Sequence, residues 1–383
     1  MVESDELSVS PLELFFDLVF VFAITQIVAL IEHDLTPAGV AKGALVLAMI
    51  YWGWSLFTWT LNAVGTDRLD VRLGLLVAMA MSLLMARVIP DAFGDGGPYF
   101  VGAYFVFRLV ANVLSYRSAT PERRQVVSRF VPLTVLATLV AVVGGLVADP
   151  ARTWIWLASL LVDLVAARAA EQGDWQITAG HFAERYGLLV IIALGESIVA
   201  IGAGISSSRV GLTLGVTLVV ATLATALLWW SYFDWVAERV ESHLRSLSGS
   251  AQGSFARDAY TILHYPLVTG IVLFAVVVAE ITAHPTEELP ALSRTLLALG
   301  FSLVLLSFVA SAYRALRRVP YTRFGAAIAI GLVSVFGGSF EGLVLLGVDS
   351  AIVFSMLFYE GFARRDPNRA LGVRLRPPGE IQP

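Results

Sequence analysis

Residues 13–29 read ELFFDLVFVFAITQIVA, and residues 184–200 read ERYGLLVIIALGESIVA. The two stretches align without a gap, and each begins with a glutamate and ends in Ile-Val-Ala. Both are mostly apolar and close to the roughly 20 residues that a helix needs to cross a bilayer. We interpret them as two copies of one membrane helix, which predicts a duplicated membrane unit.

The likeness between the two halves continues beyond these helices. Residues 54–59 read WSLFTW, and residues 230–235 read WSYFDW. Membrane proteins built from two such halves are very often transporters or channels, with the path at the junction of the halves. The tryptophans have two interpretations, since they either form an interfacial belt or line a pocket.

Apolar stretches of spanning length recur along nearly the whole chain, and 57% of its 383 residues are hydrophobic. They predict an all-α polytopic membrane protein of about twelve transmembrane helices, arranged as two parallel six-helix repeats. Little sequence is left for a soluble domain, which argues against a water-facing enzyme. The predicted spans are residues 12–31, 38–61, 71–90, 98–116, 126–148, 152–170, 186–205, 211–236, 259–282, 292–313, 322–340 and 341–362.

Short segments flank and join the two repeats. The N-terminus reads MVESDELSVS and is acidic, whereas a cleavable signal peptide begins with positive charge. We therefore expect the first helix to remain in the mature protein. The loop near 237–257 contains SLSGSAQGS, which is typical of a flexible linker. The predicted divisions are an N-tail at 1–11, the first repeat at 12–170, a connector at 171–183, the second repeat at 184–362, and an Arg- and Pro-rich tail at 363–383.

The basic residues predict the orientation of the chain. With twelve spans both termini lie on one side, and placing them inside puts most arginines in the inner loops and the C-tail. The positive-inside rule therefore predicts cytoplasmic termini. The basic loop and helix-end residues left on the outer side are Lys42, Arg152, Arg209 and Arg294.

Several classes of chemistry have no support in the sequence. The chain has no cysteine, which excludes disulfides and thiolate metal sites, and its five histidines are scattered. It contains no GxxxxGK[ST], HExxH or GxSxG motif. Its net charge of −4 is spread along the chain. We therefore expect no enzyme activity, no cofactor, no metal site and no nucleic-acid partner.

Two charged residues fall near the middle of their predicted spans, Arg108 in the fourth and Glu196 in the seventh. Insertion of a charge at that depth costs roughly 2.5–3.5 kcal/mol, so both should face the protein interior. Their equal depth and opposite sign predict a pair or a shared ligand; the alternative is a static ion pair that fixes packing. Because Glu196 replaces Thr25 of the first copy, we predict a proton- or cation-binding carboxylate, reached from the cytoplasm past Asp17.

Other candidate residues lie nearer the helix ends. Glu13 and Asp17 share a helix face, and carboxylates at a pore mouth concentrate cations or carry protons; for Glu13 we favour helix capping. His264 stands beside a helix-interrupting proline, where it either lines a cavity or is simply packed. The predicted path comprises Asp17, Gln26, Arg108, Asp163, Glu184, Glu196 and His264, and Arg87 and Glu280 are predicted as an outer ion pair.

The blocks at 13–23, ELFFDLVFVFA, and at 181–197, HFAER through LGES, resemble the signature blocks of the low temperature requirement protein A family, LtrA. The resemblance spans residues 10–365. It implies a multi-spanning protein of the bacterial cytoplasmic membrane, named for a need during growth in the cold, and it supplies no substrate. Phe15-Phe16-Asp17 is also similar to the Phe-Ser-Asp block of the lysosomal potassium channel family, which uses six-helix repeats.

Three functions follow as hypotheses. The first is a secondary transporter, ion- or proton-coupled, of an unidentified small solute, with the lipid bilayer as its surroundings. The second is a cation channel built from six-helix repeats, which would need two chains and therefore predicts a homodimer. The third is a non-transporting membrane protein, such as a lipid-modifying enzyme or a sensor, that supports growth in the cold.

Overall fold

A computed structural model describes residues 9–169, 177–205, 211–234 and 236–365. These residues form fourteen α-helices and contain no β-strand, so the all-α class is confirmed for this part of the chain. The predicted tails at 1–11 and 363–383 lie largely outside it. The helices are α1 Pro11–His33, α2 Pro37–Val64, α3 Leu69–Val88, α4 Gly97–Arg117, α5 Pro121–Gly145, α6 Ala151–Ala169, α7 Ala179–Ile205, α8 Leu212–Phe233, α9 Val236–Arg245, α10 Gly249–Ala256, α11 His264–Ala283, α12 Ala291–Leu316, α13 Tyr321–Phe336 and α14 Gly342–Arg365.

Ten helical segments in the described residues are long and apolar enough to cross a membrane, and α13 is a shorter apolar helix. Large apolar side chains lie exposed along the outer faces of these helices, among them Leu18, Val219 and Phe358. An outer surface of this kind is stable against lipid and unstable against water. The fold is that of a multi-pass membrane protein.

The first two helices begin at strong local signals. Ser10 accepts a hydrogen bond from the Glu13 amide, and the Glu13 carboxylate accepts one from the Ser10 amide, which closes a capping box ahead of α1. Thr36 caps α2 with a single hydrogen bond, which its hydroxyl accepts from the amide of Gly39. A proline follows each cap at the first helical position, where its missing N–H costs nothing.

The helices of the two halves pack in a matching order. In the first half α1 packs against α2 and α3, α3 against α4, α4 against α5, α5 against α6, and α2 against α6. In the second half α7 packs against α8 and α11, α11 against α12, α12 against α13, α13 against α14, and α8 against α14. The halves meet where α1 packs against α7, with further contacts from α2 and α11.

The segment between α8 and α11 differs from the prediction. The flexible linker expected near 237–257 is instead helical, as α9 and α10, and a π-helical turn at Arg257–Ile262 leads into α11. Val236, Val240 and Leu244 recur at helical spacing on α9 and are buried. Burial of this apolar stripe outweighs the Gly- and Ser-rich composition that follows it.

Two predicted boundaries also shift. Helix α7 begins at Ala179, inside the segment predicted as a connector, so His181 and its neighbours are helical. Farther along, the predicted spans 322–340 and 341–362 correspond to two separate helices, because α13 ends at Phe336 and α14 begins at Gly342.

Candidate functional site

Charged side chains from α1 and α7 meet in the interior, at the junction of the two halves. The Arg185 guanidinium donates through Nη1 to Glu13 Oε1 and through Nη2 to Asp17 Oδ1, both at 2.8 Å. His181 Nε2 lies 3.0 Å from the same Glu13 oxygen. None of these four residues is more than 3% exposed. The side chains form an ion network, which we call the junction cluster.

Neighbouring polar groups fix the geometry of the junction cluster. The Trp54 indole N–H donates to Asp17 Oδ1 at 2.8 Å. The Asn62 amide oxygen accepts from the Thr178 amide, so its nitrogen faces His181 Nδ1, at 3.1 Å. His181 therefore accepts at Nδ1 and donates from Nε2 to the Glu13 carboxylate. The capping role predicted for Glu13 is confirmed, and the structure adds the bridge to α7 that the sequence did not specify.

Helices α1 and α7 run side by side in the same direction. The first turns of both helices meet in the junction cluster, and farther along Thr25 Oγ1 donates to Glu196 Oε2 at 2.5 Å. Thr25 and Glu196 occupy the same position in the aligned stretches 13–29 and 184–200. At this position the corresponding residues of the two stretches contact each other.

Arg108 binds Asp163 and not Glu196, so the predicted pairing of Arg108 with Glu196 is wrong. Arg108 Nη2 lies 2.5 Å from Asp163 Oδ1, and both residues are fully buried. Its Nη1 donates to the Tyr104 hydroxyl at 3.3 Å. Helix α4 packs against α2, α3 and α5, and the Glu196 helix packs against α1, α2, α8, α9 and α11, so both helices are neighbours of α2 but do not pack closely on each other. Equal depth in the membrane therefore did not bring the two charges together, although both are buried as predicted.

The predicted outer ion pair of Arg87 and Glu280 is also wrong. Arg87 is exposed on α3, and Glu280 lies on α11, which packs against other helices. Glu280 Oε2 is buried and has no hydrogen-bond partner in the described residues. The two residues therefore lie on helices from different halves of the chain and do not pair.

The remaining path candidates are scattered. Glu184 is exposed and accepts from the Val9 amide at 3.2 Å, and Gln26 is half-buried on α1. His264 is buried between the Tyr232 hydroxyl, 2.9 Å from Nε2, and the Ala259 carbonyl, 3.0 Å from Nδ1. It is a packed, hydrogen-bonded side chain, which was the second of its two interpretations.

A pocket lies between α2, α4, α5, α6 and the π-helical turn, and we call it the arginine pocket. It encloses about 850 Å³ of empty space, counting the part that is open at its mouth. Arg108 reaches it from the middle of α4, and Ser118 and Arg123 line it where α4 ends and α5 begins. Arg257 lines it from the π-helical turn. The pocket thus extends from one end of the helix bundle to an arginine in the middle of α4.

The sequence did not single out two of the three arginines that line this pocket, Arg123 and Arg257, or the role of Arg185. A signal for Arg185 was present, because His181 and Arg185 stand at i and i+4, as Glu13 and Asp17 do. Opposite charges at equal spacing on two aligned helices predict a cross-helix network. Arg257 gave no signal, since it lies in the segment interpreted as a linker.

The fold and the junction cluster define a multi-spanning helical membrane protein with buried ion pairs between its helices. The family model described as bacterial low temperature requirement A protein (LtrA) matches residues 8–358, and the chain belongs to this family. The resemblance inferred from the sequence blocks is therefore confirmed.

A relative from Rhizobium meliloti (strain 1021) is an uncharacterized protein. It is 30% identical over 298 residues, which cover 74% of this chain and 72% of that protein. No solved structure matches the chain.

Proposed function

We propose that this LtrA protein is a secondary transporter of a small solute in the bacterial cytoplasmic membrane. The observation that carries the proposal is the arginine pocket, which extends from one end of the bundle to Arg108 in mid-membrane. Transporters hold their solute near the bilayer midplane in a site open to one side at a time. A pocket of this depth, open at one end, has the form of such a site.

We further propose that the protein consists of two parallel six-helix repeats. Three features support this arrangement: the aligned stretches 13–29 and 184–200, the matching order of helix contacts, and the parallel course of α1 and α7. The contact of Thr25 with Glu196, at corresponding positions, is expected if an axis along the membrane normal passes between α1 and α7.

The orientation of the pocket follows from the arginines. Val64 at the end of α2, Ser118 after α4 and Ala167 near the end of α6 all line the pocket. The positive-inside rule assigns these helix ends, and both termini, to the cytoplasm. We therefore propose that this conformation faces the cytoplasm.

Glu196 is our candidate for the coupling residue. With Arg108 bound to Asp163, Glu196 has Thr25 as its hydrogen-bond donor, and no basic side chain lies within ion-pair distance in the described residues. Its carboxylate lies on the helix pair that joins the halves, so binding of a proton or cation there can bias how α1 and α7 pack. Coupling of this kind needs a site whose occupancy differs between two conformations.

The test uses purified protein in liposomes that enclose a pH-sensitive dye. A panel of solutes, comprising organic anions, phosphate, amino acids, sugars and alkali cations, is added outside in turn. We expect saturable proton movement with at least one solute, and its loss in a folded Glu196→Gln variant. Glu288→Gln, an exposed glutamate, is the matched control and should retain the signal. Proton movement with no member of the panel would contradict the proposal, as would coupling that survives in Glu196→Gln.

A further inference from the structure

We propose that the arginine pocket binds an organic oxyanion, meaning a carboxylate, phosphate or sulfonate group attached to an apolar body. The identity of this anion as the transported solute rests on the transport function proposed above, whereas its binding does not. The same chemistry is offered by a dissolved metabolite and by the headgroup of an anionic lipid, and the experiment separates the two.

The charged side chains that line the pocket are all positive. Arg108, Arg123 and Arg257 all line the pocket, and no carboxylate does so among the described residues. Asp163 binds Arg108 and Asp258 binds Arg257, but neither aspartate belongs to the lining. Guanidinium groups suit oxyanions because their planar donors match the geometry of carboxylates and phosphates.

Arg108 and Ser118, which line the pocket, each have a buried donor with no acceptor among the described residues. Arg108 donates from Nη1 to the Tyr104 hydroxyl and from Nη2 to Asp163 and the Thr134 carbonyl. Its Nε is buried and has no hydrogen-bond partner in the described residues. The Ser118 hydroxyl, near the mouth, is likewise buried without a partner. Buried polar groups are nearly always satisfied, so each unsatisfied one calls for an explanation. An oxyanion deep in the pocket supplies an acceptor to Arg108 Nε, and one nearer the mouth supplies an acceptor to the Ser118 hydroxyl, since the two residues stand ten positions apart on the chain.

The rest of the lining suits an apolar body. Trp52, Trp59 and Phe130 contribute aromatic surface, and Leu56 and Val127 contribute aliphatic surface. Since the Trp59 indole N–H donates to Thr261, it is already satisfied. The pocket therefore combines an anion-binding end with an apolar wall.

The test measures the thermal stability of the full chain in nanodiscs of phosphatidylcholine. The probe is benzenesulfonate, an anion with an aromatic body that stays charged at every working pH, and its neutral counterpart is benzenesulfonamide. We expect benzenesulfonate to raise Tm with saturation and the sulfonamide to leave it unchanged. Inorganic phosphate and nanodiscs containing phosphatidylglycerol form two further arms, which report a small free anion and a lipid headgroup.

Two adjacent arginines provide the matched variants. Arg123 lines the pocket and Arg124 is exposed beside it. Arg123→Gln should lower the affinity for the anion by about tenfold or more, as expected for loss of a charge-assisted hydrogen bond. Arg124→Gln should leave that affinity unchanged. Stabilisation by phosphatidylglycerol alone, sensitive to Arg123→Gln, would support the site and identify the lipid as its ligand.

The proposal is overturned if no anion arm stabilises the folded protein, or if Arg124→Gln weakens binding as much as Arg123→Gln does. Arg108→Gln is unsuitable as a test, because it leaves Asp163 buried without its partner. Since the assay contains no flux, binding without transport would count against the proposed function and leave the anion site standing.

Discussion

Arg185 is the residue on which the junction of the halves depends. It is fully buried and holds both Glu13 and Asp17. Removing one partner of a buried ion pair leaves an uncompensated charge and costs about 3–5 kcal/mol. We predict that Arg185→Gln abolishes or strongly lowers the yield of monodisperse protein in size-exclusion chromatography. The exposed Arg168→Gln should behave as wild type, and a stable Arg185→Gln protein would show that the junction cluster is dispensable.

Arg108 and Asp163 form a pair that can be removed together. Each residue is fully buried, so either single change, Arg108→Met or Asp163→Leu, strands the other charge. The double variant leaves no buried charge without a partner. Its Tm, measured by thermal melting in detergent, should therefore be several degrees higher than that of either single variant. A double variant no more stable than the worse single would show that the pair is not self-contained. Loss of binding in the double would still be expected, because Arg108 lines the pocket.

At the residue scale the sequence predicted burial better than partners. Hydropathy specifies how deep Arg108 and Glu196 lie, and depth alone implies burial for a charge in lipid. Pairing depends on the rotation of each helix and on which helices are neighbours, and these are set by packing across the whole bundle. For this reason the sequence did not predict that Arg108 pairs with Asp163 or that Glu196 accepts a hydrogen bond from Thr25.

At the element scale, the parallel course of α1 and α7 can be tested by cross-linking. The chain has no cysteine, so Thr25→Cys with Glu196→Cys introduces a single thiol pair. We predict efficient cross-linking by a short bifunctional thiol reagent, detected as a linked peptide by mass spectrometry, because these side chains are in contact. Leu18→Cys with Glu196→Cys is the control, since Leu18 is exposed on the outer face. Equal yields for the two pairs would contradict the packing of α1 on α7.

Long apolar helices were predictable and short amphipathic ones were not. Helices such as α1 and α11 can be recognised in the sequence, because each is a continuous apolar run long enough to span a membrane. Helix α9 buries only Val236, Val240 and Leu244, and the glycines and serines beyond it dominate the local composition. Its stability comes from packing against α7, α8 and α12, which is not visible in a local window.

At the scale of the whole molecule, the family and the helical class were predictable from the sequence, and the arginine pocket was not. Its lining comes from α2, α4, α5, α6 and the turn before α11, which are far apart in the chain. Of the predicted path residues, only Arg108 lines it. Trp59, one of the tryptophans interpreted as either an interfacial belt or a pocket lining, also lines it.

A carrier that moves its solute through the arginine pocket should exchange solute across the membrane. Counterflow tests that claim directly: liposomes containing the protein are preloaded with an unlabelled solute and diluted into a trace of the same labelled solute. The series uses benzenesulfonate, phosphate and the other solutes of the panel. We predict a transient accumulation of label above equilibrium in wild type and Arg124→Gln, with a much lower initial rate in Arg123→Gln. Label that equilibrates without accumulation would indicate a channel, and the absence of uptake for every solute would contradict transport.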